Sequence, residues 1–128
     1  MKNVTRLFII LGSLNAALAV MLGAFGAHLL KNQLSENLMA IFQTGNQYHF
    51  FHALGLFAVA FIGSQTNSKL VKWSGFLMFA GIILFSGSLY ILSITGIKWL
   101  GAITPIGGIA FIGAWILLAI VGTKPDRF

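Results

Sequence analysis

Four apolar stretches separated by short polar ones set the pattern of the chain: Leu7–Ala27, Tyr48–Ile62, Trp73–Ile94 and Ile106–Gly122. The first holds 21 residues without a charge, and Asn15 is its only strongly polar side chain. At 1.5 Å per residue it is about 31 Å long, the thickness of a bilayer's hydrocarbon core. The second and fourth are short for a span. The second extends backward through Phe42–Gln47, and the fourth borrows Thr104 and Pro105. Proline at a helix start loses nothing, because its missing N–H would have been unpaired there. The pattern predicts an all-α fold: an integral membrane four-helix bundle, one domain over residues 1–128, with spans at about 7–28, 46–63, 73–94 and 105–122.

Two finer patterns sit on this frame. In the first span Gly12, Ala16, Ala19, Gly23 and Gly26 recur at steps of four, three, four and three, a flat stripe against which another helix can pack. Between the first two spans, apolar positions 34, 38, 41 and 42 recur with helical spacing, while Glu36, Asn37 and Gln43 fall mostly on the other side. This predicts a short amphipathic helix at the membrane surface. Gly45 then marks either a bend into the second span or a position within one continuous helix. Gly63–Lys69 reads as a polar turn, and Thr95–Trp99 as a short connection with an interfacial tryptophan.

Composition agrees with this solvent. Hydrophobic residues make up 58% and charged residues 8% of the chain, with a mean hydropathy of +0.92, far from soluble averages of about 45–50% and about 25%. The net charge of +6 is spread singly or in pairs between apolar runs, with no basic stripe interleaved with aromatics, so nucleic acid is not an expected partner. The basic residues fit headgroup anchoring and topology control instead. With the N-terminus inside, Lys2, Arg6, Lys69, Lys72, Lys124 and Arg127 face the cytoplasm and only Lys31 and Lys98 face out, which predicts both termini cytoplasmic in the plasma membrane. Lys2, Arg6 and Ala17-Leu18-Ala19 resemble a signal peptide, but the apolar run is too long and continues past the cleavage-like site, so a retained span is expected. Without cysteine, disulfides, thiolate catalysis and zinc–sulfur sites are excluded.

Polar groups inside lipid are expensive and mark the places worth reading for function. The predicted topology brings His28, Gln43, Thr44, Tyr48, His52, Ser86, Ser88, Tyr90 and Thr104 from four segments into one outer layer. Tyr48 and His52 share a helical face, and His49 lies about 100° round from Tyr48, so only one of the two histidines need face the bundle centre. Three chemistries fit such a layer: proton handling or ligand binding around His28 and His52, haem or metal ligation by that pair, or interhelical hydrogen bonding that holds the bundle together. No acidic residue lies in a span, which disfavours a carboxylate relay and hard-cation sites. Ser86-Gly87-Ser88 lacks the strand–turn–helix setting of a hydrolase nucleophile. Gly107-Gly108 is too short for a phosphate loop and reads as a close helix contact.

Taken together, Gly23-Ala-Phe-Gly-Ala-His28, Gln43-Thr44-Gly45 with Tyr48 and His52, Leu84-Phe-Ser-Gly-Ser-Leu-Tyr90, and Thr104-Pro-Ile-Gly-Gly108 with Phe111, Gly113 and Trp115 resemble the small membrane proteins of uncharacterised protein family 0382, also known as domain of unknown function 423. A eukaryotic four-span protein is related to them. His49 lies outside the motif. The resemblance implies a multi-pass bacterial plasma-membrane protein and no particular reaction. The expectation is therefore a non-enzymatic protein, without cofactor, that supports the envelope or binds a membrane partner, either another membrane protein or a second copy of itself. Alternatives are a small proton-linked carrier and a haem or lipophilic-cofactor protein using His28 and His52.

Overall fold

The computed structural model describes residues 2–124; Arg127, counted in the charge split, lies outside them. The apolar runs become helices because a backbone with no water partner must satisfy its N–H and C=O groups within the segment. α1 (Lys2–Met21) passes through a π-helical turn, Leu22–Gly26, into α2 (Ala27–Leu30). α3 (Glu36–Gln65) is a single 30-residue helix, capped by the Ser35 hydroxyl accepting from Leu38 N–H. α4 (Lys69–Gly81), capped by Ser68, continues through a second π-helical turn, Ile82–Gly87, into α5 (Ser88–Thr95). Gly96 ends α5 in the left-handed conformation, φ 73°, and its N–H returns to Leu92 O. A 3₁₀ turn, Lys98–Ala102, leads into α6 (Thr104–Gly122), with Pro105 in its first turn.

These elements form four helical rods, and no strand occurs among the described residues. Three rods are long and apolar enough to cross a membrane: Asn3–Leu30, Lys69–Thr95 and Lys98–Gly122. α3 matches them in length, but Gln43, Asn46, Gln47, His49 and His52 dilute its apolar character.

The expected short amphipathic helix is not a separate element. Residues 36–42 are the first turns of α3, and the helix runs straight through Gly45. The glycine serves contact rather than bending: a Cβ there would lie 3.0 Å from Leu89 Cβ and 3.3 Å from Ser86 O.

The rods pack in chain order. α1 lies antiparallel on α3, with its small-residue face turned inward: a Cβ on Gly12 would sit 3.1 Å from Ala53 O, one on Gly23 2.6 Å from Asn46 Oδ1, and one on Gly26 3.4 Å from Phe42. Ala19 is buried and Ala16 half-buried on that side. α3 packs in turn on α4 and α5, and α4 packs on α6. The closest approach to another backbone is at Gly107, where a Cβ would fall 2.4 Å from the Phe85 backbone nitrogen; Gly108 beside it has ordinary room. Around Phe8, Leu56, Val59, Val71, Met78, Phe111 and Val121 the core is apolar, with the Phe8 ring seated in the space left by Gly75. Acyl tails are as apolar as these side chains, so the gain here is close van der Waals packing rather than removal of water.

Candidate functional site

Beyond that core, polar side chains from three rods meet in one chain of hydrogen bonds. Asn15 on α1 bonds through Nδ2 to Leu11 O at 2.9 Å, which turns its Oδ1 toward His49 Nε2, also at 2.9 Å. The amide oxygen can only accept, so His49 carries its proton on Nε2. His49 Nδ1 is then an acceptor and takes the Tyr90 O–H at 2.9 Å. Asn46 Nδ2 donates to Tyr90 Oη at 3.2 Å and to Ala19 O at 2.8 Å. Each of the four side chains holds two partners, which is what makes such a group tolerable inside a membrane protein. Asn15 sits two residues from the centre of the Leu7–Ala27 run, so the network lies near mid-depth of that stretch rather than at its outer end.

A second group joins α3 to α6. His52 Nδ1–H donates to Tyr48 O at 2.8 Å, and His52 Nε2 accepts from Trp115 Nε1–H at 3.0 Å. The imidazole lies flat on Phe111, with ring centres 3.5 Å apart. Tyr48 lies parallel to His52 and tilted against Phe85, and it is partly exposed. A third pairing is Ser88 Oγ with Thr104 Oγ1 across the last two rods, 2.6 Å apart. Ser86 Oγ is fully buried and has no partner among the described residues.

The sequence-derived outer layer is thus divided. Tyr90 joins the Asn15–His49 network, Tyr48 and His52 form the aromatic group, and Ser88 pairs with Thr104. His28 is exposed on α2, while Gln43 and Thr44 point outward from α3, with Thr44 bonded back to Ala40 O. His28 and His52 do not meet, and both ring nitrogens of His52 already hold protein partners. Nor does only one α3 histidine face inward. His49 and His52 are 2% and 5% exposed, one turned to α1 and α5 and the other to α6. Sequence reasoning set His49 aside and passed over Asn46. The available clue was Asn15, whose isolation in an apolar run required a polar partner at matching depth on another helix.

Against this network lies a cavity of about 460 Å³, open sideways between the first and third rods. Its walls are apolar side chains such as Leu18, Phe79, Ile83 and Ile91, and Asn15, His49 and Tyr90 form its polar end. Both π-helical turns reach it: Leu22 from the first, and Ile82, Ile83, Leu84 and Gly87 from the second. A π turn widens the helix and redirects the side chains that follow, and such turns recur at functional sites. Among the described residues no three His, Asp or Glu side chains converge as a metal site.

Long apolar helices around a hydrogen-bonded interior define this chain as a helical transmembrane protein. Residues 22–108 match the family described as "Protein of unknown function (DUF423)". The chain is 56% identical over 93 residues to the UPF0382 membrane protein YwdK of Bacillus subtilis, covering 72% of this chain and 76% of that one. It is 52% identical over 92 residues to a UPF0382 membrane protein of Staphylococcus saprophyticus, covering 72% and 76%. The chain belongs to this family of membrane proteins. No solved structure matches it.

Proposed function

We propose that the chain crosses the plasma membrane four times with both ends cytoplasmic, and that it acts as a non-enzymatic protein holding a lipophilic membrane component in the cavity beside Asn15, His49 and Tyr90. Four crossings are supported by the register of α3 on α1. Pairs 12/53, 15/49, 19/46 and 26/42 keep the two rods at the same depth throughout. The side of each end follows from the six-to-two division of basic residues.

The observation that carries the binding role is the cavity itself. Its volume lies within the usual range for small-molecule sites, about 300–1,000 Å³, and its walls are almost wholly apolar, with Asn15, His49, Ser88 and Tyr90 at their edge. A molecule entering sideways from the bilayer would lay a hydrocarbon chain along Leu18, Ile83 and Ile91. A hydroxyl on it could donate to the second lone pair of Asn15 Oδ1. The imidazoles of His49 and His52, whose nitrogens are committed to protein partners, serve as framework rather than as free bases.

Gly87 offers a clean test. It lines the cavity in a helical conformation, and a Cβ there meets nothing nearer than Ile82 O at 3.9 Å, so the leucine of Gly87→Leu starts unobstructed toward the space. The native protein, extracted with its surrounding lipid in polymer-bounded discs, should enrich a lipophile several-fold over the bulk membrane by mass spectrometry, and Gly87→Leu should not. Identical lipid profiles for the two proteins would refute the binding role.

A further inference from the structure

The outward side of α3 carries a repeat that the bundle does not use. Ala40, Thr44, Gln47, Phe51, Leu54, Ala58 and Phe61 follow one another at steps of four, three, four, three, four and three. All are exposed except the half-buried Ala58. This is the spacing at which two helices wind around each other in a left-handed pair. Lipid would be an adequate cover for Phe51, Leu54 and Phe61, but not for Gln47. Its neighbour Asn46 is bonded to Ala19 O, close to the centre of the Leu7–Ala27 run, so the Gln47 amide stands outward at the depth of the hydrocarbon. Neither Gln47 nor Gln43, one turn away, has a side-chain hydrogen-bond partner among the described residues that would offset this exposure. An amide in lipid without a partner is costly, and glutamine is among the residues that join helices across a membrane.

We propose that this face is the contact with a second copy of the chain, through a parallel α3–α3 pair in which the two Gln47 amides hydrogen-bond to each other across a two-fold axis along the membrane normal. Two copies inserted the same way present α3 in the same direction, and an axis through the stripe sets each residue opposite its own counterpart. An amide carries both donors and an acceptor, so it is complementary to itself, which a carboxylate or an ammonium is not. One polar position in an otherwise apolar seam also sets the register of such a pair. The proposal rests on α3 crossing the membrane, as argued above.

The absence of cysteine allows a direct test. Single variants Gln47→Cys, Phe51→Cys, Leu54→Cys and Phe61→Cys, with Leu14→Cys and Ile109→Cys as exposed positions on α1 and α6, are oxidised in native membranes. Disulfide-linked dimers are expected along the α3 stripe, with little product at positions 14 and 109. No dimer on α3, equal yields everywhere, or a maximum on α6 would overturn the pairing. Energy transfer between labelled copies in phosphatidylethanolamine–phosphatidylglycerol vesicles gives the affinity. Gln47→Leu should weaken association by about threefold to tenfold, the worth of one or two interhelical hydrogen bonds. Unchanged association would overturn the amide pair. A membrane-impermeant maleimide separates the two levels of the argument: reaction at Phe51→Cys and Leu54→Cys would refute α3 as a span. Protected thiols that never cross-link would overturn the dimer alone.

Discussion

Gly107 and Gly108 are adjacent on α6, yet alanine should act oppositely at the two. At Gly107 the added Cβ would lie 2.4 Å from Phe85 N, 2.8 Å from Leu84 C and 2.8 Å from Phe85 Cα. All three atoms are backbone, so no rotamer change relieves the contact. Restoring the 3.4 Å of an ordinary van der Waals contact requires α6 and the second π-helical turn to part by 1.0 Å, the difference between 3.4 and 2.4. Overpacking of this kind costs about 1–3 kcal/mol. Alanine returns up to about 1 kcal/mol through its better helix propensity, so the net loss is expected near about 1–2 kcal/mol. At Gly108 the nearest atoms are Phe85 Cδ2 and Cε2 at 3.8 and 3.9 Å, normal contacts, so Gly108→Ala should be neutral or stabilising by up to about 1 kcal/mol. Sodium dodecyl sulfate titration in mixed micelles, followed by circular dichroism, measures both. Equal shifts for the two variants, or a larger loss at Gly108, would refute the close approach of α6 to Phe85.

Other outcomes follow from the hydrogen bonds. Tyr90→Phe removes the donor to His49 Nδ1 and an acceptor of Asn46, and the same titration should show a loss of about 1–3 kcal/mol, the cost of leaving buried polar groups unpaired. His52→Phe keeps an aromatic ring on Phe111 but strips Trp115 Nε1–H of its acceptor, for a loss of about 1–2 kcal/mol. His28→Ala, at an exposed site without a side-chain partner among the described residues, should stay within about 0.5 kcal/mol of the native protein. A His28→Ala loss as large as that of His52→Phe would contradict this division of roles.

Much of the architecture was legible along the chain. The apolar runs determined the helices, because in lipid a segment of that length must bond its backbone to itself. Pro105 stands in the first turn of α6, where its missing N–H costs nothing. The four-three repeat of Gly12 to Gly26 marked the side of α1 that meets α3. Local chemistry determines all of these, and a single sequence displays it.

The site was a matter of tertiary structure. Periodicity assigns a side chain to a face of its helix, but not to a neighbour, and a hydrogen bond needs two atoms within about 3 Å. Tyr90, Asn46, His49 and Asn15 become one chain only through the relative rotation and axial register of three rods, and the cavity exists only where the first and third rods leave a gap beside the π turns. Those offsets are set by contacts such as Gly12 on Ala53, Gly45 on Ser86 and Gly107 on Phe85, between residues far apart in the chain. The sequence by itself therefore determined which segments become helices, whereas packing at the glycine contacts decided which polar groups meet.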